Sequence, residues 1–356
     1  MSRFLSRKYG MLKPYVPGEQ PKDMQYVKLN TNENPFPPSE KALRYALENA
    51  RPMHLYSDPE CSALRQALSE TYGVPPENFV CTNGSDEALN FAFMAFCDKD
   101  HPAVFPDVTY GFYPVFAALN GVPFEEIPLD EDLLIDPQKY EGIHKTVFIA
   151  NPNAPTGKAL KVSSIERIVR SNPDNVIVVD EAYVDFGAES CLPLILKYDN
   201  LVVVQTFSKS RSMAGARLGF AAGDRKLIED LNTVRYSTNP YNVNSYTAAL
   251  GIGTLKDASY TKKNCETIIR NREALSRELK ALGFDVIDSC ANFVFARHPE
   301  VQGEEIYLRL KEKGVLVRHF EKDRIRDYNR ITVGTNEENA VLLNALSSIL
   351  KERGAI

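Results

Sequence analysis

The sequence predicts an α/β protein, in which helices wrap a mainly parallel sheet and a smaller α+β domain follows. Short apolar segments alternate with amphipathic ones between about residues 60 and 255, the pattern of parallel strands with crossover helices. A long polar helix is predicted next over 258–282, and further short strands and helices follow it. Because 356 residues exceed what one core usually supports, two domains are expected.

The strands of the large part are predicted from short, β-branched apolar runs. They are placed at 79–82, 103–105, 146–150, 176–180, 201–206 and 217–222. Gly283 ends the long helix, because glycine accepts the backbone conformation found after a helix C-terminus. Beyond it we predict strands at 284–287, 292–296, 315–317 and 329–333, and helices at 303–313 and 336–352.

The composition and charge of the chain argue against several classes of protein. Contents of 44% hydrophobic and 25% charged residues are ordinary for a globular chain, and the net charge of −5 argues against nonspecific nucleic-acid binding. No apolar run approaches the roughly 20 residues of a membrane helix, and the start lacks a signal-peptide stretch. The six cysteines and five histidines show no metal-ligand spacing. We therefore expect a cytoplasmic enzyme with reduced thiols, and neither a metal, a membrane nor a nucleic acid as partner.

Lys209 is the first candidate for chemistry. It follows the strand at 201–206, and ligands in open α/β sheets bind beyond the carboxyl ends of strands. Its amine can form a Schiff base with an aldehyde, while the neighbouring Ser208 and Arg217 can hold a phosphate. Pyridoxal phosphate carries both groups. In isolation such a lysine is more often a solvated surface charge.

Asp180 closes the strand at 176–180 and is the predicted partner of the cofactor ring nitrogen. A carboxylate there keeps that nitrogen protonated, so that the ring accepts electrons. In isolation it could equally cap a helix or bind a metal. Tyr183 could place its hydroxyl against the ring oxygen, or could simply pack on the core. In the tight loop after the strand at 146–150, Asn153 can donate its amide to the same oxygen.

The phosphate of the cofactor is predicted to bind where a glycine turn leads into a helix near Ser85 and Asp86. Backbone amides at a helix N-terminus bind anions, and we assign the binding to those amides and not to the Asp86 carboxylate. Capping by Ser85 is the simpler alternative. Thr206, Ser208 and Arg217 complete this phosphate cup.

Taken together, these motifs resemble fold-type I aminotransferases, most closely the histidinol-phosphate aminotransferases. The three segments that carry the resemblance, in this order and at these spacings, are Asn151-Pro-Asn-Ala-Pro-Thr-Gly157, Asp180-Glu-Ala-Tyr183 and Ser208-Lys-Ser210 with Arg217. Further matches occur at 13–18, 29–36, 56–60, 84–88, 106–110, 315–320 and 330–334, so the resemblance covers nearly the whole chain. It implies a mainly parallel seven-stranded sheet, a large domain over 40–256, and a small domain formed by 1–39 with 257–356.

The resemblance also implies roles for further residues. Tyr110 stacks on the cofactor ring opposite Lys209, and Tyr56 reaches the phosphate from the neighbouring subunit, which implies a homodimer. Ser57 stands where relatives usually have proline, and His319 where many have proline or another residue. The residues that would bind the substrate are Arg330 and Arg318 as positive groups, Tyr15 as a phosphate contact and Asn32 as a pocket wall.

The implied reaction is transfer of an amino group between L-histidinol phosphate and 2-oxoglutarate by a ping-pong mechanism, with a small-molecule amino donor and a 2-oxo acid as partners. Two alternatives stay open: an aromatic or broad-specificity aminotransferase, and a threonine-phosphate decarboxylase built on the same residues. The Asn32-Glu-Asn-Pro35 segment favours the aminotransferase. A cofactor-sensing regulator would need a DNA-binding extension, for which the sequence shows no candidate.

Overall fold

A computed structural model describes residues 2–50 and 52–355 of the chain. Its strands, in chain order, are β1 (Val27–Lys28), β2 (Phe79–Thr82), β3 (Ala103–Pro106), β4 (Phe124–Ile127), β5 (Thr146–Ala150), β6 (Ile177–Asp180), β7 (Leu201–Thr206), β8 (Gly219–Gly223), β9 (Asp285–Ile287), β10 (Phe293–Arg297), β11 (Val315–Leu316), β12 (Arg318–His319) and β13 (Asn329–Thr332). The α-helices are α1 (Glu40–Asn49), α2 (Ser62–Tyr72), α3 (Ser85–Phe96), α4 (Tyr113–Asn120), α5 (Val162–Ser171), α6 (Arg225–Thr238), α7 (Ser245–Lys256), α8 (Ala258–Ala281), α9 (Gly303–Glu312) and α10 (Asn336–Arg353).

The predicted sheet is confirmed, with seven strands in the order β2-β8-β7-β6-β5-β3-β4. Only β8 is antiparallel to its neighbours in this sheet, and the other pairs are parallel. The six predicted strands are buried along their whole length, which is why they read as apolar runs. The seventh, β4, was not predicted. Its sequence Phe-Glu-Glu-Ile is mostly exposed at the sheet edge and carries charge instead of an apolar run.

Two smaller sheets lie outside the large one. The strands β12, β13, β10 and β9 form an antiparallel sheet, and β1 pairs in parallel with β11. The second pairing joins the N-terminal segment to the C-terminal part, yet β1 is only two residues long and left no pattern to predict it. One apolar core spans these elements and also takes in Ala154, Tyr183 and Phe186 from the large part. The domain boundaries at residues 39 and 256 stay a prediction.

The large sheet determines where the polar strand ends meet. Ala150 pairs with Asp180 and Asp180 with Val204 in the registers of β5, β6 and β7. Because these strands are parallel neighbours, the loops that leave them emerge along one edge of the sheet. Within the described part of the chain, no helix combines the length and the apolar character needed to cross a membrane.

Candidate active site

A cavity of about 210 Å³ lies at this edge of the sheet. Among the residues that line it are most of the predicted site residues: Tyr15, Ser85, Asp86, Tyr110, Asp180, Tyr183, Thr206, Ser208, Lys209, Arg217, Arg318 and Arg330. Three predicted residues, Asn32, Tyr56 and Asn153, lie outside its lining. The structure therefore gathers groups from distant parts of the chain around one space, as a ligand site requires.

Lys209 presents its amine to this cavity. Its Nζ donates to the carbonyl oxygen of Thr31 at 3.0 Å. Burial and, after it, the positive charge of Arg330 lower the pKa of Lys209 to about 8, against an opposing influence of Glu33. A substantial fraction of the amine is thus neutral near pH 8 and can attack a carbonyl carbon.

The rate at which the cofactor-free protein takes up pyridoxal phosphate should therefore rise with pH and level off above about pH 8. Only the neutral amine attacks an aldehyde, and the lowered pKa of Lys209 moves its deprotonation down from the ordinary 10.5. Below the midpoint the rate should fall about tenfold per pH unit. Stopped-flow absorbance between pH 6 and 10 measures this profile. A midpoint near pH 10 would contradict the assigned environment of Lys209.

Asp180 is a buried carboxylate with two donors and no cation. Its Oδ1 accepts from the backbone N–H of Ala182 at 3.1 Å and its Oδ2 from the hydroxyl of Tyr113 at 3.2 Å. Among the described residues, no basic side chain forms a salt bridge with it. Burial raises the pKa of Asp180 more than the two hydrogen bonds lower it, so that the pKa lies at about 7. A protonated ring nitrogen of a ligand would supply the missing positive charge.

The residues predicted to form the phosphate cup lie together at the cavity as a cluster of hydrogen-bond donors, and their role stays a prediction. Ser85 is the first residue of α3, so the amides of this helix N-terminus face the cavity side. Gly84 precedes it with φ +76°, and a Cβ there would lie 2.5 Å from a guanidinium nitrogen of Arg217. Thr206 donates from Oγ1 to the Oγ of Ser208 at 3.0 Å. A glycine at 84 thus lets Arg217 approach the helix end.

The Asp86 carboxylate balances charge within this cup. Its Oδ2 accepts from Arg217 at 2.9 Å and its Oδ1 from the Tyr110 hydroxyl at 2.7 Å. Assigning anion binding to the α3 amides and not to this carboxylate remains a prediction, and the ion pair gives it a physical reason. Asp86 holds Arg217 and Tyr110 at the cavity while the amides stay available.

The donor set of the cavity fits pyridoxal phosphate. A partly neutral amine, a buried carboxylate without a cation and an anion cup match the aldehyde, the ring nitrogen and the phosphate of that molecule in turn. Lys209 would hold the aldehyde carbon, Asp180 the ring nitrogen, and the α3 amides with Arg217 the phosphate.

Tyr183 and Asn32 form a connected pair. Tyr183 is buried, and its hydroxyl accepts from Asn32 Nδ2 at 3.0 Å. Asn32 is held in turn by Thr332, whose Oγ1 donates to Asn32 Oδ1 at 3.0 Å. Asn32 therefore positions Tyr183 by holding its hydroxyl. The predicted role of Asn32 as a pocket wall stays a prediction.

Asn153 lies in a loop between two cis peptide bonds, Asn151–Pro152 and Ala154–Pro155. Its amide nitrogen donates to the carbonyl of Val108 at 2.9 Å and to Thr156 Oγ1 at 3.3 Å. Both amide hydrogens thus have protein partners. The predicted bond to a cofactor oxygen stays a prediction, and it requires one of these partners to be exchanged.

The substrate end of the site holds two arginines. Arg330 donates from Nη2 to the carbonyl of Asn30 at 3.0 Å, while its buried Nε has no hydrogen-bond partner among the residues described. Arg318 donates to the carbonyls of Val16 and Pro17 at 3.0 and 3.1 Å. Arg330 can therefore still bind an anion, because part of its guanidinium is unused.

A second cavity of about 560 Å³ adjoins the first, with which it shares Tyr15, Tyr110, Ala154, Arg318 and Arg330. Tyr15 stacks on Phe112 at a ring distance of 4.1 Å. The two cavities together give room for a substrate with a sizeable side chain beside the cofactor.

Tyr56 is 82% exposed and stacks on Tyr241 at a ring distance of 4.4 Å. It does not line the cavity of its own chain. A role in cofactor binding would therefore require another subunit.

Sequence reasoning missed three residues of the site. They are Tyr113, which donates to Asp180, Thr31, whose carbonyl receives the Lys209 amine, and Asn34, whose amide donates to the carbonyls of Lys209 and Ser210 at 3.1 and 3.2 Å. Thr31 and Asn34 lie in the segment 29–36, which was matched to the resembling family, and Tyr113 lies three residues after Tyr110, so each had a weak signal in the sequence.

Comparison with known proteins supports this assignment. Residues 24–346 match the family described as aminotransferase class I and II. The chain is 46% identical over 353 residues to the histidinol-phosphate aminotransferase of Brachyspira hyodysenteriae, covering 99% of this chain and all of that protein. It is 48% identical to the enzyme of the same name from Marinomonas sp. (strain MWYL1), covering 98% of this chain and all of that protein.

Solved structures share the fold. The histidinol-phosphate aminotransferase of Sinorhizobium meliloti, solved in complex with pyridoxal-5′-phosphate, superposes with a TM-score of 0.86 at 23% identity and 92% coverage of both chains. The aspartate aminotransferase of Thermus thermophilus with maleate gives a TM-score of 0.82 at 22% identity, covering 98% of this chain and all of that one. At these identities the comparison establishes the shared architecture.

Proposed function

Since this chain belongs to the family of class I and II aminotransferases, we propose that it transfers the amino group of L-histidinol phosphate to 2-oxoglutarate, with pyridoxal phosphate as cofactor. The observation that carries the reaction type is the convergence of Lys209, Asp180 and the phosphate cup on one cavity. The substrate rests on the relatives of that name, which match over their whole length, and on the partly unused guanidinium of Arg330.

Lys209, Asp180 and Tyr183 have different roles in this reaction. Pyridoxal phosphate, when bound, supplies an aldehyde that takes up the amino group and a ring that stores the electron pair released at the substrate Cα. Lys209 would hold the aldehyde carbon, and its amine, once released, would remove the proton from the substrate Cα and deliver it to that aldehyde carbon. Asp180 holds the proton on the ring nitrogen, and Tyr183 directs its hydroxyl at the ring oxygen. A 2-oxo acid then takes the amino group in a second half-reaction, which gives ping-pong kinetics.

Arg330 anchors the anionic end of the substrate. In one half-reaction this end is the phosphate of the amino donor, and in the other it is the α-carboxylate of glutamate. A guanidinium serves both because its planar donor fork fits either group. Among the described residues, its guanidinium donates only to the carbonyl of Asn30 and lies over the rings of Phe293 and Phe320, so binding either anion adds hydrogen bonds without breaking one.

A single-turnover spectrum tests the substrate. Cofactor-loaded protein is mixed separately with histidinol phosphate, glutamate, phenylalanine and threonine phosphate, and the visible cofactor band is followed. We expect rapid conversion with histidinol phosphate and with glutamate. In Arg330→Lys, which keeps the charge and loses the fork, both conversions should slow by about 10–100-fold. Conversion with phenylalanine only, or release of carbon dioxide from threonine phosphate, would assign the chain to another reaction.

We further propose a cytoplasmic homodimer in which Tyr56 reaches the phosphate in the partner's site. The loop around Tyr56 exposes an apolar surface: Met53 is 61% and Leu55 is 62% exposed. A patch of this kind on a globular chain is typical of an interface. The proposed cytoplasmic location is supported by the composition of the chain, which is ordinary for a globular protein.

Hybrid dimers test the shared site. Lys209→Ala and Tyr56→Phe each damage one component of a site that two subunits build, so each homodimer should be impaired. Mixed dimers should contain one site with both components intact, and activity should recover towards a quarter of wild type at equal mixing. A mixture with Tyr241→Phe in place of Tyr56→Phe is the matched control. No recovery, with Tyr56→Phe itself crippled, would contradict a site shared between subunits.

A further inference from the structure

Tyr113 lies between the two residues that would face the cofactor ring. It is the first residue of α4 and is fully buried. Its hydroxyl donates to Asp180 Oδ2 at 3.2 Å, and its ring meets that of Tyr110 edge-on, with centroids 5.8 Å apart and planes at 89°. The Tyr113 backbone N–H also donates to the carbonyl of Tyr110 at 3.2 Å. One side chain thus contacts both the carboxylate and the aromatic ring of the predicted cofactor site.

We propose that Tyr113 is a positioning residue, which favours the ionised form of Asp180, holds its carboxylate in place at the predicted cofactor site and fixes the angle of the Tyr110 ring there. This inference rests on the proposed function, since it concerns the same site. In this proposal the hydroxyl of Tyr113 acts on Asp180 through a hydrogen bond, and its ring acts on Tyr110 through the edge-on contact.

The hydroxyl matters because Asp180 has few other donors. Within the described part of the chain, Tyr113 is the only side chain that donates to this carboxylate, and the Ala182 N–H is the other donor. The charged and titratable groups that face Asp180 are Asp86 from α3, which opposes its ionisation, and Lys209 after β7, which favours it. Tyr183 is the further titratable group on this side of the site.

The hydroxyl remains a donor throughout the working pH range. Burial, followed by the negative charge of Asp180, holds the pKa of Tyr113 well above its usual range. A hydrogen bond to the ionised form of a carboxylate favours that form. Removing the hydroxyl therefore makes the ionised Asp180 less favourable, and this change does not depend on a substrate.

The ring of Tyr113 is held on several sides. Its centroid lies 5.7 Å from that of Phe105 and 5.8 Å from that of Phe148. Tyr113→Phe should keep this packing and remove only the hydroxyl. Tyr140→Phe is a matched control, because Tyr140 is equally buried and its hydroxyl has no hydrogen-bond partner among the described residues.

The first readout is the titration of Asp180 in the cofactor-free protein. Aspartate labelled with ¹³C at the carboxyl carbon gives the signal, and Asp180→Asn identifies it. Tyr113→Phe should raise the pKa of Asp180 by about one unit, since a hydrogen bond to a charged group has roughly that strength. Tyr140→Phe should leave it unchanged. An Asp180 titration that is the same in both variants would overturn the proposal.

The second readout separates positioning from general structural damage. Tyr113→Phe should weaken the binding of pyridoxal phosphate by about tenfold relative to Tyr140→Phe. The analogue with carbon in place of the ring nitrogen cannot use Asp180 and should bind both variants alike. Equal weakening for the two ligands would also overturn the proposal. Neither readout uses a substrate, so a wrong substrate assignment leaves them intact, whereas failure of the wild-type protein to bind pyridoxal phosphate would reject the proposed function itself.

Discussion

Lys209→Ala is expected to abolish covalent cofactor attachment and to lower turnover by at least about 10³-fold. The amine of Lys209 both bonds to the aldehyde carbon and moves the proton, and no other lysine lines the cavity in the part of the chain that the structure describes. Pyridoxal phosphate should still bind without a covalent bond, because Arg217 and the α3 amides remain.

Two measurements and a control variant check this expectation. Treatment with borohydride followed by mass spectrometry should add one cofactor to the wild-type chain and none to the variant. Lys41→Ala is a matched control, since that side chain is 83% exposed on α1. Added methylamine should restore part of the turnover, because it replaces the missing base. A variant that still carries the covalent cofactor would remove Lys209 from its assigned role.

The strand ends were predictable because two strong signals coincide there. Buried parallel strands read as apolar runs, so β5, β6 and β7 were found within a residue of their observed bounds. The register of neighbouring parallel strands then places Asp180 and Lys209 at one edge, whatever the details of the loops. The cup at Ser85 follows in the same way from a glycine turn that enters a helix.

Contacts made across the chain could not be predicted by such patterns. Lys209 Nζ donates to Thr31, 178 positions away, and nothing local in 29–36 indicates that its backbone will reach β7. Asn153 illustrates a second limit of prediction from sequence patterns. Its loop was predicted correctly to be irregular, but the direction of its amide depends on Val108 and Thr156, which accept its two hydrogens.

Asp180→Ala is expected to keep the cofactor bound but to lower turnover by about 10³-fold, because electrostatic stabilisation of the developing charge is lost. The buried carboxylate of Asp180 costs free energy in the cofactor-free chain, where burial raises its pKa to about 7. That raised pKa means that ionised Asp180 destabilises the folded, cofactor-free protein as the pH rises from about 4 to about 7. When the cofactor binds, attraction to its positive ring nitrogen offsets the free energy that the buried, ionised carboxylate costs. The buried position of Asp180 is therefore suited to a positively charged ligand.

A chemical rescue distinguishes this electrostatic role from a structural one. Pyridoxal phosphate methylated at its ring nitrogen carries a permanent positive charge and needs no carboxylate to keep it. It should restore turnover in Asp180→Ala, where the shortened side chain leaves room for the methyl group, and should impair the wild-type protein, where Asp180 occupies that space. Asp224→Asn, which changes the half-buried N-cap residue of α6, should respond to both cofactors as the wild-type protein does. If the methylated cofactor fails in Asp180→Ala while binding as tightly as the natural one, Asp180 acts by holding the fold of the cavity, because restoring the charge alone would then not restore the reaction.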